Sequence, residues 1–246
     1  MKPGNAAPQG ILFDLGNTLL REEHFDVEAG TARVLALARN PRGLSARDVC
    51  SLVVDLERDL RRRREESLLE ISPFTVHRLV YEPHEISFDL PFQEVEREFW
   101  KAATRFSPTP EIAESLSELR KLGVRLGVVS NSTFTSATLA WQLREMRLLD
   151  FFRFVMSSAD YVVRKPHPAI FQTAVRKLGT SLHETWFVGD SLAYDVVGAH
   201  AAGLTSVWYN PTASAPPADT PHHEIRSWPE LLTRVRTPES GPARPE

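Results

Sequence analysis

Apolar residues in this chain fall into short uninterrupted runs that stop at polar or acidic residues, and between those runs they recur at helical spacing. Gly10-Ile11-Leu12-Phe13 ends at Asp14 and a Gly16-Asn17 turn, Val124 to Val129 ends at Ser130-Asn131, Trp186 to Gly189 ends at Asp190, and Thr205 to Tyr209 is a fourth such run. Runs of this length bounded by turn residues predict buried strands. Between them, Thr109 is the expected N-cap and Pro110 the expected first residue of a helix with Ile112, Leu116 and Leu119 on one face and Gly123 at its end. Further helices are expected from Pro168 to Lys177, stopped by Gly179, and up to Ala202, stopped by Gly203. Strands alternating with helices predict a parallel α/β sheet covered on both faces. Ligands in such sheets bind beyond the carboxyl ends of the strands, where Asp14, Ser130 and Asp190 converge from distant parts of the chain.

From Arg21 to about Ser107 the rhythm changes. Arg/Glu-rich segments with helical apolar spacing (Val49, Leu52, Val53, Leu56, Leu60) predict a mainly helical insertion, divided at Pro73, Pro83 and Pro91. The expected organisation is an α/β core from residues 1–20 and 108–235, the insertion at 21–107, and a tail at 236–246. Residues 211–221 read as a proline- and alanine-rich loop.

Composition narrows the function classes. The 246 residues are 42% hydrophobic and 25% charged with a formal charge of −3, an ordinary globular balance that disfavours broad electrostatic capture of nucleic acid. Arg61 to Arg64 reads as a solvated helix face. A membrane-spanning helix needs ~20 apolar residues in succession, and no stretch approaches that; with no apolar core near the N-terminus to act as a secretory signal, the expected location is cytoplasmic. The single cysteine, Cys50, excludes an internal disulfide and a multi-cysteine zinc site, and reads as a small buried apolar residue.

Four segments in order, Phe13-Asp14-Leu15-Gly16-Asn17-Thr18, Val129-Ser130-Asn131, Lys165-Pro166 and Gly189-Asp190-Ser191-Leu192-Ala193-Tyr194-Asp195, resemble the four motifs of the haloacid dehalogenase-like hydrolase superfamily. The resemblance covers roughly half the chain and implies a Rossmann-like core with the insertion as a cap that sets substrate choice. It implies Asp14 as nucleophile, Mg²⁺ held by Asp14, the Gly16 carbonyl and Asp190, and phosphate bound by Ser130, Asn131 and Lys165. Thr18 then braces the nucleophile loop, and Asp195 points back at the metal waters or at Lys165. The chemistry suits these types. A carboxylate can split one displacement into two through an acyl phosphate, provided a divalent cation and positive donors offset its repulsion from phosphate. Read alone, Asp190 could equally cap a helix, Ser130 stand in a turn and Lys165 in a loop.

Gly16 departs from the phosphatase pattern, in which a second Asp two residues after the nucleophile protonates the leaving group. General acid–base help of this kind is worth ~10²–10⁴-fold. Its absence leaves three possibilities: restriction to good leaving groups, a substitute acid from His24, His77, His84 or water, or loss of hydrolysis in favour of binding a phosphorylated ligand. A metal-free dehalogenase also lacks this Asp but has no need of Asp190. A phosphonatase needs a cap lysine, and none occurs between Arg21 and Trp100. The expected activity is therefore Mg²⁺-dependent hydrolysis of a small phosphorylated metabolite, with the oligomeric state left open. Arg21 is expected to pair with Glu22 or Glu23, the aromatics Phe74, Phe88, Phe92, Phe99 and Trp100 to pack the cap, and Trp141 and Trp186 to pack the sheet.

Overall fold

The computed structural model describes residues 7–71, 78–215 and 223–237. Six strands form one parallel sheet: β1 (Gly10–Phe13), β6 (Arg125–Ser130), β7 (Val155–Ser157), β8 (Thr185–Gly189), β9 (Thr205–Tyr209) and β10 (His223–Ile225), in the order β10-β9-β8-β1-β6-β7. β1 lies at its centre, with Phe13 in register with Val128 of β6 and Val188 of β8. Alternate residues of a strand point to opposite faces, so Ile11 and Phe13 enter one core while Leu12 enters the other.

The first core is closed by α4 (Ile112–Lys121), α5 (Ser136–Glu145) and α9 (Trp228–Arg236), the second by α7 (Pro168–Leu178) and α8 (Val197–Ala201). Ile112, Leu116 and Leu119 are all buried, as their spacing predicts, and Gly179 at φ 75° provides the left-handed stop of α7. Trp186 is buried in the first core and Trp141 packs against it. Two edge elements were not legible from the runs: β7 and β10 are only three residues each.

The expected cap of α4 is overturned. Its N-cap is Glu111, at φ 63° and without a side-chain hydrogen bond. Thr109 is committed elsewhere. Its hydroxyl contacts the carbonyls of Thr18 and Leu19, at 3.0 and 3.2 Å, and accepts from Trp228 Nε1 at 2.9 Å, joining the end of the loop after β1 to α9.

Between β1 and α4 the chain leaves the sheet. β2 (Leu20–Phe25) and β5 (Thr104–Pro108) form an antiparallel ribbon, and between them lie α1 (Val27–Leu35), β3 (Ala38–Arg39), α2 (Ala46–Ser67), β4 (Ser87–Phe88) and α3 (Phe92–Ala103). The segment is mainly helical, with two small sheets that its helical spacing concealed. α2 begins with a capping box in which Ser45 and Asp48 satisfy each other's backbone N–H groups. Val49, Val53 and Leu56 join a small cluster with Phe88, but Leu52 is 38% exposed and lies off that face. Cys50 is half-buried rather than a plain core residue, and its Sγ lies 3.3 Å from Thr31 Oγ1. Pro73, Phe74 and His77, residues 216–221 of the proposed loop and residues 238–246 of the tail fall outside the described residues. Arg236, assigned to the tail by sequence, is instead the last residue of α9 and pairs with Glu118 at 3.0 Å.

Polar bonds fasten this segment to the sheet. Trp100 Nε1 donates to Gln142 at 2.8 Å, and the buried Glu96 accepts from the backbone and hydroxyl of Thr135 and from Thr138 at the start of α5. Leu69 bridges Val163, and the Arg164 N–H donates to the Leu68 carbonyl at 3.0 Å, one residue before Lys165.

The Thr109 junction yields a first prediction. Thr109→Val keeps the shape but strands the buried Trp228 N–H and loop carbonyls, so unfolding in urea should show a loss of about 1–3 kcal/mol. The loss should shrink in a Trp228→Phe background, because the donor is then gone.

Candidate active site

The strand ends bring the four motif segments together. Asp14 follows β1, and its N–H donates to the Val188 carbonyl at 2.9 Å, extending the sheet by one bond past the strand. Lys165 Nζ donates to Asp14 Oδ1 and to Asp195 Oδ1, both at 2.6 Å, and the lysine is 1% exposed. Asp195 is positioned from the other side by the Ser191 N–H, 3.0 Å from Oδ2. It stands on a wide helical turn, Leu192–Val196, packed so closely on β8 that a side chain at Gly189 would collide with its carboxylate.

Asn131 holds Lys165 by its backbone. The side-chain amide donates to the Lys165 carbonyl at 2.9 Å and accepts from the Lys165 N–H at 2.7 Å. The sequence pointed to the Asn131 backbone as a phosphate ligand; this side-chain clamp leaves no mark at sequence level, because its partner lies 34 residues away. Thr18 is fully buried, with its hydroxyl 3.1 Å from the Asp190 N–H and 3.4 Å from Asp190 Oδ1. Capping of the following turn falls to Ser191, which accepts from the Tyr194 N–H at 3.3 Å, so Asp190 is not used as a helix cap.

The electrostatics follow from burial. Desolvation pushes Lys165 down, but the two carboxylates against it outweigh that and hold it above the ordinary lysine range. Burial raises Asp195 to about 7 against the opposing pull of Lys165, and raises Asp190 to about 6 with Asp14 adding to the rise. We take the ion pair with Lys165 as the dominant state of Asp195, since both contacts of the ammonium are short and desolvated. Carboxylate oxygens of Asp14, Asp190 and Asp195 lie within 4.8 Å of one another. One ammonium faces three carboxylates, a donor set short of positive charge. It fits a divalent cation with oxygen ligands, for which Asp14 and Asp190 offer carboxylate oxygens, Asp195 being taken by Lys165.

A cavity of about 310 Å³ lies beside this cluster, lined among others by Leu15, Gly16, Ser130, Asn131, Trp100 and Arg164; Leu15 and Arg164 are the chain neighbours of Asp14 and Lys165, which do not themselves line it. Ser130 is buried at the end of β6 and faces it. Asp190 borders a second cavity of about 550 Å³, which Asn17 and Arg21 also line. A Cβ built on Gly16 meets no atom within 4 Å, so the glycine is not imposed by crowding.

Neither His24 nor His84 lines the cavity over Gly16: His24 is exposed, 4.0 Å from Asp26, and His84 is spent on the Val80 carbonyl at 2.8 Å. Arg21 pairs with Glu23 at 3.4 Å. Arg61 to Arg63 are exposed as expected, but Arg64 turns inward and lines the cavity. Trp100 also lines it while packing the core, so the division between packing and substrate-facing aromatics does not hold there. The sequence reading overlooked Glu70, Arg64 and Arg164; only the position of Arg164 beside the Lys165 motif offered a signal.

The sequence model of the haloacid dehalogenase-like hydrolases matches residues 8–203. The chain belongs to this family. Among curated relatives of this chain, a glyceraldehyde 3-phosphate phosphatase of Methanopyrus kandleri is 35% identical over 135 residues, 52% of this chain and 57% of the relative. A ribulose-1,5-bisphosphate 5-phosphatase of Halopiger xanaduensis is 32% identical over 46% of this chain and 47% of its own. A phosphoglycolate phosphatase of Pectobacterium atrosepticum is 36% identical over 39% and 40%. The matches thus span between two fifths and three fifths of the relatives' lengths. In fold, the chain resembles a family phosphatase from Thermococcus onnurineus (TM-score 0.58, 24% identity, 92% of this chain and 97% of the other). It equally resembles a 2-haloacid dehalogenase from Pseudomonas syringae pv. Tomato (TM-score 0.60, 23% identity, 92% and 99%). No helix among the described residues is long and apolar enough to cross a membrane.

Lys165→Met leaves Asp14 and Asp195 facing each other without their cation. Removing one partner of a buried pair costs about 3–5 kcal/mol. Asp195 already titrates above its unfolded value, and without Lys165 it rises further. The stability it contributes is present below the unfolded value of 3.8 and lost as pH climbs through the raised one. The stability deficit of Lys165→Met, measured by urea unfolding in chelator, should therefore be larger at pH 8 than at pH 4; a deficit independent of pH would contradict the pairing.

Proposed function

We propose that this hydrolase is a phosphatase that removes phosphate from a small phosphorylated metabolite through an aspartyl-phosphate on Asp14, with Mg²⁺ as cofactor. The observation that carries this reading is the Asp14–Lys165–Asp195 cluster, with its 2.6 Å contacts, whose chain neighbours Leu15 and Arg164 line a cavity together with Ser130 and Asn131. The phosphatase activities named for the relatives support the substrate class. Residues 21–107 act as the cap over residues 1–20 and 108–235 in this scheme.

Lys165 engages Oδ1 of Asp14 and orients the carboxylate, leaving Oδ2 to attack phosphorus. Attack forms the Oδ2–P bond as the P–O bond to the leaving group breaks, and the departing alkoxide takes its proton from water, since Gly16 offers none. Water then attacks phosphorus, inorganic phosphate leaves, and Asp14 regains its carboxylate. Ser130 Oγ and the Asn131 N–H donate to phosphate oxygens, and Lys165 offsets their charge from below. Bound by Asp14, Asp190 and the Gly16 carbonyl, Mg²⁺ supplies the positive charge that the three carboxylates lack. Thr18 fixes Asp190, and Asp195 keeps Lys165 protonated and aimed.

Hydrolysis of an activated aryl phosphate should require Mg²⁺ and vanish in Asp14→Asn. Turnover that survives both the chelator and the substitution sinks the reading, and chelator-insensitive halide release from a haloacid points to the dehalogenase alternative instead.

Because a Cβ at position 16 meets no atom within 4 Å, Gly16→Asp tests the missing acid directly. With alkyl phosphates, whose leaving group needs a proton, it should raise kcat by roughly 10²–10⁴-fold. The gain with the activated aryl ester should be far smaller. Equal effects on both esters would mean that protonation does not limit this enzyme.

A further inference from the structure

The inward-facing Arg64 belongs to a charged cluster that the scheme above does not use. Glu70 is buried, with its side chain 2% exposed, and two arginines converge on it: Arg64 Nε at 3.5 Å and Arg164 Nε at 3.9 Å. Ser158 Oγ donates to the same carboxylate at 2.7 Å and the Ile71 N–H at 3.1 Å, so Glu70 is fixed from two sides. Arg164 is further held with its guanidinium 5.6 Å above the Tyr194 ring. Among the described residues, Arg64 Nε is buried yet has no hydrogen-bond partner.

Charge counting then decides what this wall attracts. Two guanidinium groups, 20% and 12% exposed, face one carboxylate, which leaves one positive charge uncompensated. Glu22 also lines the cavity, but it is solvent-exposed, where screening leaves such a charge little weight. The surplus adjoins the proposed phosphate site by construction, because Arg164 immediately precedes Lys165, whose backbone is clamped by Asn131. Arg64 comes from the opposite side, at the end of α2. The cavity of about 310 Å³ that both arginines line suits a metabolite of a few carbons.

We propose that Arg64 and Arg164 form a second anion site, so that the substrates are small phosphomonoesters carrying another oxyanion, carboxylate or phosphate, at the end remote from the scissile group. Glu70 acts as the holder that sets the two guanidinium planes. The proposal rests on the phosphatase reading for the identity of the scissile group, but not for the existence of the anion site. It makes Arg64 a residue through which the inserted segment selects substrates, while Arg164 contributes from the core.

The test uses matched pairs on the full chain with Mg²⁺: phosphoglycolate against 2-hydroxyethyl phosphate for the carboxylate arm, and ribulose 1,5-bisphosphate against ribulose 5-phosphate for the phosphate arm. The doubly anionic member of at least one pair should be favoured in kcat/KM, chiefly through KM, and the favoured arm identifies the oxyanion. Arg64→Gln should reduce that ratio by roughly 10- to 100-fold, the range for losing a charged hydrogen-bond partner. Arg64→Lys should retain part of it, and Arg63→Gln, one residue away on the exposed face, should leave the ratio intact. Should Arg64→Gln not fold, the lysine variant carries the test, since it keeps the charge and loses the fork.

The same pairs are titrated calorimetrically into Asp14→Asn. Absence of turnover with any ester, together with an Arg64-dependent affinity for the doubly anionic member, overturns the phosphatase reading and upholds the anion site. Equal affinity and equal turnover within both pairs, or a ratio untouched by Arg64→Gln, overturns the anion site whatever the fate of the phosphatase reading.

Discussion

One buried ammonium organises the strand-end cluster of this protein. Lys165 is almost wholly removed from water, and an unpaired charge there is prohibitively expensive. Asp14 and Asp195 meet it at 2.6 Å each, and nearly every other feature of the site can be read as a means of keeping that triad assembled. Asn131 clamps the lysine backbone, Gly189 leaves room for Asp195 against β8, and the Ser191 N–H aims its second oxygen. The parallel sheet delivers Asp14, Ser130 and Asp190 to one edge, and this triad turns the convergence into a defined constellation.

The triad also sets the electrostatic character of its surroundings. Asp190, buried and facing the Asp14 carboxylate, is raised to about 6 against the opposing pull of Lys165 and the Thr18 hydroxyl. The cluster as a whole is short of positive charge, which is the condition under which a divalent cation and a phosphate dianion can be accommodated together. Gly16 presents no side chain at this point. The open space around it separates the question of room from the question of chemistry.

The inserted segment is bound into this arrangement rather than hung beside it. Leu68 and Leu69 pair with Val163 and Arg164, just ahead of Lys165, and the Glu70 carboxylate gathers arginines from both sides of the seam. Trp100 and Glu96 make a second attachment to α5. Movement of the segment against the sheet would have to act through these two seams, one of which leads directly to the backbone of the site lysine.

Much of the core was legible along the chain because its determinants are local. Short apolar runs ending in Asp14, Ser130 and Asp190 mark strands by their length, and Gly179 marks a helix end by the conformation that glycine adopts there without strain. Four motifs in order carried the family. Features created by pairs of residues far apart in sequence could not be read this way. Thr109 looked like a helix cap because that is what a threonine before proline does locally, but the loop carbonyls and Trp228 compete for its hydroxyl and win. Arg64 looked like part of a solvated arginine run because its neighbours are, and only the return of the chain to Glu70 and Arg164 turned it toward the cavity. Local preference is worth tenths of a kcal/mol per residue, whereas burying a charge or a donor costs several times more. Where the two disagreed in this protein, burial prevailed.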